Sequence, residues 1–313
     1  MLKLAKYERN PIIAPRPSHD WEVNGTFNLG AVADGEIIHL LYRAADANGI
    51  SRFGYARTAN GTELTFRCSN PVLEPSADWE KFGCEDPRIT ALDGRFYITY
   101  TAYSRRGPRI ALASTEDFVN FQKYGIVGPQ RDDKDCVIFP ERIDGKIALL
   151  HRLESNVQIA YFENLHALTG SQEYWKRYLE YFNDYEVVTS RFHWEERKVG
   201  IGPPPLKTER GWLVIYHGVS IDGIYRAGAI LLDLNKPTKI LARTSEPILE
   251  PETEFENHGI VSKVVFPNGA VIRGKRILVY YGGADRVCCV ASAPINEFLD
   301  ELESETPVKT VGL

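Results

Sequence analysis

DGRFYITYTAY, residues 93–103, opens on an Asp-Gly turn and runs directly into β-branched and aromatic residues, a composition that suits a strand better than a helix. The same design recurs as DGEIIHLLYRA from Asp34, DGKIALLHRL from Asp144, RGWLVIYHGV from Arg210 and RGKRILVYYGG from Arg273, at intervals of 51 to 66 residues. Each copy is followed by a short polar turn and a second strand-like run, such as RFGYARTANG from Arg52, PRIALASTED from Pro108 or RVCCVASAPI from Arg286. Three proline-bounded apolar runs, NPIIAP at Asn10, NPVLEP at Asn70 and EPILEP at Glu246, suit outer strands, where a missing N–H costs little. Five small antiparallel sheets that cannot bury both faces alone predict an all-β, five-bladed β-propeller in one domain spanning residues 1–313. A β-sandwich with coincidental spacing is the alternative. Two stretches break the pattern. SQEYWKRYLEYF from Ser171 predicts a short helix between blades three and four, and PINEFLDELES from Pro294 a C-terminal helix started by its proline.

The bulk properties narrow the function. A formal charge of -5 offers no basic field for a phosphodiester backbone, so nucleic acid is not an expected partner. No window approaches the roughly 18 apolar residues of a membrane span, and the N-terminus lacks a secretory h-region. The chain is therefore expected to start at Met1 and to stay in the cytoplasm, away from membranes. Its five cysteines include no C-x-x-C pair and are expected to be reduced and buried; Cys84, beside two acids, could be a nucleophile but reads better as a small core residue. The seven histidines are scattered, without metal-ligand spacing, and no glycine-rich loop opens a helix, so neither a metal nor a nucleotide cofactor is expected.

In a propeller the five repeats deliver side chains to one central channel. The apolar strands end at Arg43, Tyr103, Arg152, His217 and Asp285, which predicts a polar ring assembled from distant sequence. GCEDPR, residues 83–88, precedes the second repeat. Pro87 is expected to hold Asp86 in an extended conformation, and two adjacent residues of an extended strand face opposite sides, so Glu85 and Asp86 should not share a face.

GCEDPR, together with KDCVIFPERIDGKIALLHR from Lys134, KVGIGPPPLKTERGWLVIYHG from Lys198 and YYGGAD from Tyr280, resembles the β-mannoside phosphorylases of glycoside hydrolase family 130 over nearly the whole chain. That resemblance implies a five-bladed propeller that cleaves β-mannosides with inorganic phosphate, with inversion, releasing α-mannose 1-phosphate. It implies Asp86 as the general acid, its proton passing through a mannosyl hydroxyl. It implies Asn28, Arg43 and Asp285 as sugar contacts, with Arg52 and Tyr103 as weaker matches; Glu85, beside the acid, is expected at the substrate site bracing the arginines. Lys134, Arg152, Lys198, His217 and Tyr225 match the phosphate-binding positions. Lys134 stands where some members carry arginine, and a lysine is a point charge rather than a fork.

The chemistry explains the residue types. Inverting hydrolysis needs an acid and a separate base to activate water. Phosphate arrives already nucleophilic and needs only a cationic cradle, here Lys134, Arg152, Lys198 and a protonated His217. A β-mannosidase on the same fold would instead need a second carboxylate, for which Glu141 and Glu195 are candidates; a non-catalytic sugar-binding propeller would need no acid at all. No cofactor beyond phosphate as co-substrate is expected. Trp175, Tyr178 and Tyr181 would form either an aromatic surface suited to a homo-oligomer or part of the core, and the helix that carries them could wall the acceptor site.

Overall fold

In the computed structural model, which describes residues 2–305, the chain is mostly β and forms sheets of four, four, five and eight strands; the largest divides into two antiparallel units, so five units follow one another, and the fourth carries an extra short strand, Leu206–Lys207. The first contains Gly25–Asp34, Ile37–Ala45, Ser51–Thr58 and Leu64–Arg67. The second contains Gly83–Leu92, Arg95–Ser104, Gly107–Thr115 and Phe121–Ile126, and is joined to the first through one parallel pair, Ser51 with Gly83. Asp133–Ile138, Ile147–Leu153, Val157–Phe162 and Glu186–Val188 make the third. Lys198–Ile201, Trp212–Val219, Tyr225–Leu232 and Ile240–Arg243 make the fourth. The fifth joins Val265–Arg273, Arg276–Gly283 and Val287–Pro294 to the N-terminal pair Ala5–Lys6. The quoted glycine-turn segments supply the second strand of every unit. Ile13, Leu73 and Leu249, from the three proline-bounded runs, each make one bridge to the outer edge of a third strand, where the fourth strand has just ended.

Apolar side chains fill the spaces between units. Leu41 and Phe53 of the first unit meet Ile89 and Ile98 of the second; Leu112 of the second meets Leu149 of the third; Leu150 of the third meets Val214 of the fourth; Ile215 of the fourth meets Val279 of the fifth. A fifth cluster joins Leu29 and Leu40 of the first unit to Leu278 and Val290 of the last. All five cysteines are free and buried. Burial pushes the Cys84 thiol well up, which removes it as a nucleophile at neutral pH.

A second repeat, invisible in the hydrophobic pattern, braces four of the units. Glu22, Glu80, Glu195 and Glu256 sit in short helical turns with an aromatic residue just before each acid, and all four are completely buried. Each accepts a hydrogen bond from a tyrosine of a second strand: Tyr42 at 3.0 Å, Tyr100 at 2.6 Å, Tyr216 at 2.8 Å and Tyr281 at 2.8 Å. Each also pairs with a cation of the fourth strand, respectively Arg67, Lys123, Arg243 and Lys6. The third unit has His151 at the tyrosine position, held between Asp133 at 2.8 Å and the Tyr178 hydroxyl at 3.0 Å. Glu195→Ala would leave Arg243 buried without its partner, an expected loss of about 3–5 kcal/mol of stability; an unchanged denaturation midpoint would show the brace to be dispensable.

One expectation changes. The helix Gln172–Glu180 lies inside the third unit, between its third and fourth strands, because the strand Glu186–Val188 returns to the sheet after it. Of the two readings of Trp175 and Tyr178, the structure bears out core packing rather than an aromatic surface. They are almost wholly buried, with Trp175 donating to the Val127 carbonyl and Tyr178 to that of Ile159, and of the three only Tyr181 is exposed. The C-terminal helix Ile295–Ser304 follows Pro294 as anticipated and packs Phe298, Leu299 and Leu302 into the last core.

Candidate active site

The first strands of the first three units each contain a β-bulge, with register slipping between Phe27 and Gly30, between Glu85 and Arg88, and between Lys134 and Val137. At the extra residue the backbone is left-handed: Asn28 has φ 48°, Asp86 54° and Asp135 55°. Asn and Asp tolerate that conformation better than other residues bearing a Cβ, and a bulge re-aims the side chain it carries. Asp86 is therefore not extended. Pro87 keeps it out of the right-handed helical region, and the bulge turns it left-handed instead. The alternation expected of Glu85 and Asp86 is lost with it, and both carboxylates hold one guanidinium: Arg43 reaches Glu85 at 2.7 Å and Asp86 at 3.1 Å.

The bulged residues face a cavity of about 140 Å³ lined from all five units. Acids line part of it. Asp86 Oδ1 accepts from Asn28 Nδ2 at 2.9 Å and from Arg43, whose Nε donates to Ser51 while its guanidinium lies 4.7 Å over Phe27. Burial pushes the Asp86 carboxyl up, but Arg43, Lys134, Arg88 and the Asn28 hydrogen bond outweigh it and hold it below the usual range. The second acid, Asp285, sits in the turn after the fifth unit's second strand, again with a left-handed backbone at φ 52°. Burial pushes its carboxyl up to about 6; Asp86 and Glu85 add to this, against the pull of Arg43 and Lys134.

Three further cations line the same cavity. Lys134 and Arg152 are cross-strand partners in the third unit, and Lys198 lies 5.2 Å over the Tyr225 ring in the fourth. Burial, with Arg152 nearby, lowers Lys198 to about 8. Between them sits Asp135, which is not among the residues expected at the site. It is 3% exposed and pairs with Arg88 at 3.0 Å and Arg152 at 2.6 Å. Strand register reveals its equivalence: aligned on the bulges, Asp135 in DKDC occupies the position of Asp86 in CEDP and Asn28 in TFNL. Gly200 leaves the room, since a Cβ there would come within 2.6 Å of both Asp135 and His217.

The polar ring also differs from expectation. Strand register makes Arg43, Thr101, Arg152, His217 and Gly282 equivalent, each beside the bracing tyrosine or histidine. Tyr103 lies two residues beyond Thr101, is 40% exposed, packs edge-on against Phe82 and does not line the cavity. Arg52 is likewise outside the lining, paired with Asp46 and Glu74. Glu85 stands behind Arg43 and 3.7 Å from Lys134. His217 is not the cation expected of it: burial, reinforced by Arg152, Lys198 and Arg88, lowers it to about 3 despite Asp135, so it enters the site as a neutral imidazole with an unpartnered Nδ1. Asn28, Arg43, Asp86, Lys134, Arg152, Lys198, Tyr225 and Asp285 are all brought to the cavity.

A carboxylate and a cationic cluster lining one small polar cavity is the arrangement that the motifs led one to expect, and the sequence matches, over residues 3–304, the family described as beta-1,4-mannooligosaccharide phosphorylase. The chain belongs to glycoside hydrolase family 130. It is 37% identical to a 1,2-beta-oligomannan phosphorylase of Thermoanaerobacter sp., covering 93% of this chain and 97% of that relative. A beta-1,2-mannobiose phosphorylase of the same organism is 36% identical, with 91% and 95% covered. Among solved structures, the beta-1,2-mannobiose phosphorylase from Listeria innocua in complex with beta-1,2-mannobiose superposes with a TM-score of 0.83 at 30% identity, over 96% of this chain and 99% of that one. In this family 130 chain the two glutamates considered as hydrolytic bases fall away from the cavity: Glu141 pairs with Lys207 on the surface, and Glu195 is the buried brace of Tyr216 and Arg243.

Proposed function

We propose that this family 130 chain is an inverting β-mannoside phosphorylase that transfers a terminal mannosyl unit from a β-mannooligosaccharide to inorganic phosphate, giving α-mannose 1-phosphate. The observation that carries this reading is the cationic lining of the cavity. Lys134, Arg152 and Lys198 line it together, Asp135 beside them is committed to two arginines, and Glu85, 3.7 Å from Lys134, is held by Arg43. A hydrolase needs a free base at that place; a phosphorylase needs the cations. The names of the relatives favour a β-1,2 linkage.

In this mechanism a phosphate oxygen attacks the anomeric carbon from the face opposite the leaving oxygen. The glycosidic bond breaks, and the leaving oxygen takes a proton from a mannosyl hydroxyl that Asp86 re-protonates. Arg43, Lys134 and Arg88 hold the Asp86 carboxyl below its usual range, so it must gain a proton before the step. Phosphate bound beside Lys134 offsets part of the positive field that holds the carboxyl down, and this raises its proton affinity when the co-substrate is present. Asn28, Arg43 and Asp285 would hold the sugar.

The same reading takes the five units as blades of a propeller formed by one domain. Five apolar interfaces joining consecutive units, the last of them returning to the first, support it, as does the N-terminal strand that completes the fifth unit. A cytoplasmic location fits five unpaired cysteines. Among the described residues no helix is long and apolar enough to cross a membrane.

The test is product analysis with and without phosphate: mannose 1-phosphate formed from β-mannobiose only when phosphate is present supports the reading, and free mannose at equal rates in both would replace it with hydrolysis. The cradle also predicts a pH dependence. Lys198 carries its charge below about pH 8 and loses it above, so KM for phosphate should rise as pH passes 8. Lys198→Arg, which stays charged, should flatten that rise.

A further inference from the structure

We propose that Asp135 is a positioning residue for phosphate: it fixes the Arg152 guanidinium in the cradle and, through Arg88, ties the cradle to the strand that presents Asp86. The inference rests on the phosphorylase reading and deepens it. Arg152 donates from Nε to Asp135 at 2.6 Å and from Nη1 to the Glu154 carbonyl at 2.8 Å, so the fork is held by two fixed acceptors and Nη2 is left for a ligand. Arg88 is spent entirely on the protein. It donates to the carbonyls of Gly202 at 2.8 Å, Ile201 at 3.2 Å and Asp86 at 3.1 Å, and to Asp135 at 3.0 Å.

Arg88 is 1% exposed and cannot turn toward a substrate without abandoning buried acceptors. One carboxylate thus joins an arginine that faces the cavity to a locked arginine beneath it. The second, third and fourth units meet at this point, and the backbone of the acid strand is held from the same guanidinium. A shift of Asp135 would move Arg152 directly and the Asp86 carbonyl through Arg88. Positioning of this kind matters because a displacement of about 1 Å at a reacting group can slow the reaction on the order of a hundredfold.

The experiment is steady-state kinetics of Asp135→Asn with phosphate and β-mannobiose varied independently, alongside thermal melts with and without phosphate. The expected result is a KM for phosphate raised about tenfold or more, a much smaller change in KM for the mannoside, and loss of the phosphate-induced rise in Tm. A variant with a lowered Tm but wild-type KM for phosphate would overturn the proposal, because Asp135 would then serve the fold alone. If Asp135→Asn does not fold, Arg152→Lys decides: it keeps the charge and loses the oriented fork. A KM for phosphate raised as far as in Arg152→Ala supports positioning, and a near-normal KM refutes it. Wild-type enzyme that shows no phosphate dependence at all would instead remove the phosphorylase reading.

Discussion

Asp86→Asn is expected to lower kcat for phosphorolysis of β-mannobiose by a factor on the order of 10³ while leaving the fold intact, the range in which a positioned acid contributes. The substitution is nearly isosteric. Asn28 and Arg43 would still find an oxygen at the position of Oδ1, so unfolding should not be the cause of the loss. A mannoside whose leaving group needs no protonation separates the roles: the variant should recover much of its rate on such a substrate if Asp86 supplies the proton. Near-normal turnover of mannobiose by the variant would take Asp86 out of the mechanism, and a loss undiminished on the activated substrate would assign it to binding.

Arg152→Ala should have the second largest effect, directed at phosphate. Removing the guanidinium deletes one wall of the cradle and leaves Asp135 buried with Arg88 as its remaining close partner, putting negative charge next to the incoming anion. Loss of one partner of a buried charge pair costs about 2–5 kcal/mol, which corresponds to a fall in kcat/KM for phosphate of about 30-fold to several thousandfold. Initial rates against phosphate at saturating mannoside measure it. An unchanged phosphate dependence would contradict the cradle assignment.

Both residues were legible in the chain because their local motifs are distinctive: EDPR marks the acid, and LLHR places an arginine at the end of a strand copy. Asp135 was not, although it lies beside Lys134, because its importance comes from Arg88 and Arg152, which are separated from it by 47 and 17 residues. The four buried glutamates were hidden for the same reason. Nothing local in DWE, HWE or EFE marks the acid as buried, so Glu195 could be considered as a hydrolytic base, and only the tyrosine and the cation brought by the adjacent strands reveal each acid as a brace.

The sequence by itself determined the repeated strand pairs, their glycine turns and the C-terminal helix, which follow from local composition and from the period of apolar residues, while its resemblance to family 130 pointed to most of the charged groups that reach the cavity. The tertiary structure decided which way those groups point and what charge they carry. Bulges turned Asp86 toward Arg43 against the alternation of a regular strand, pairing register moved Tyr103 out of the ring, and burial made His217 neutral. Each of these depends on neighbours contributed by other strands and sheets, and a side chain's orientation and proton affinity are set by the groups packed around it rather than by the residues next to it in the chain.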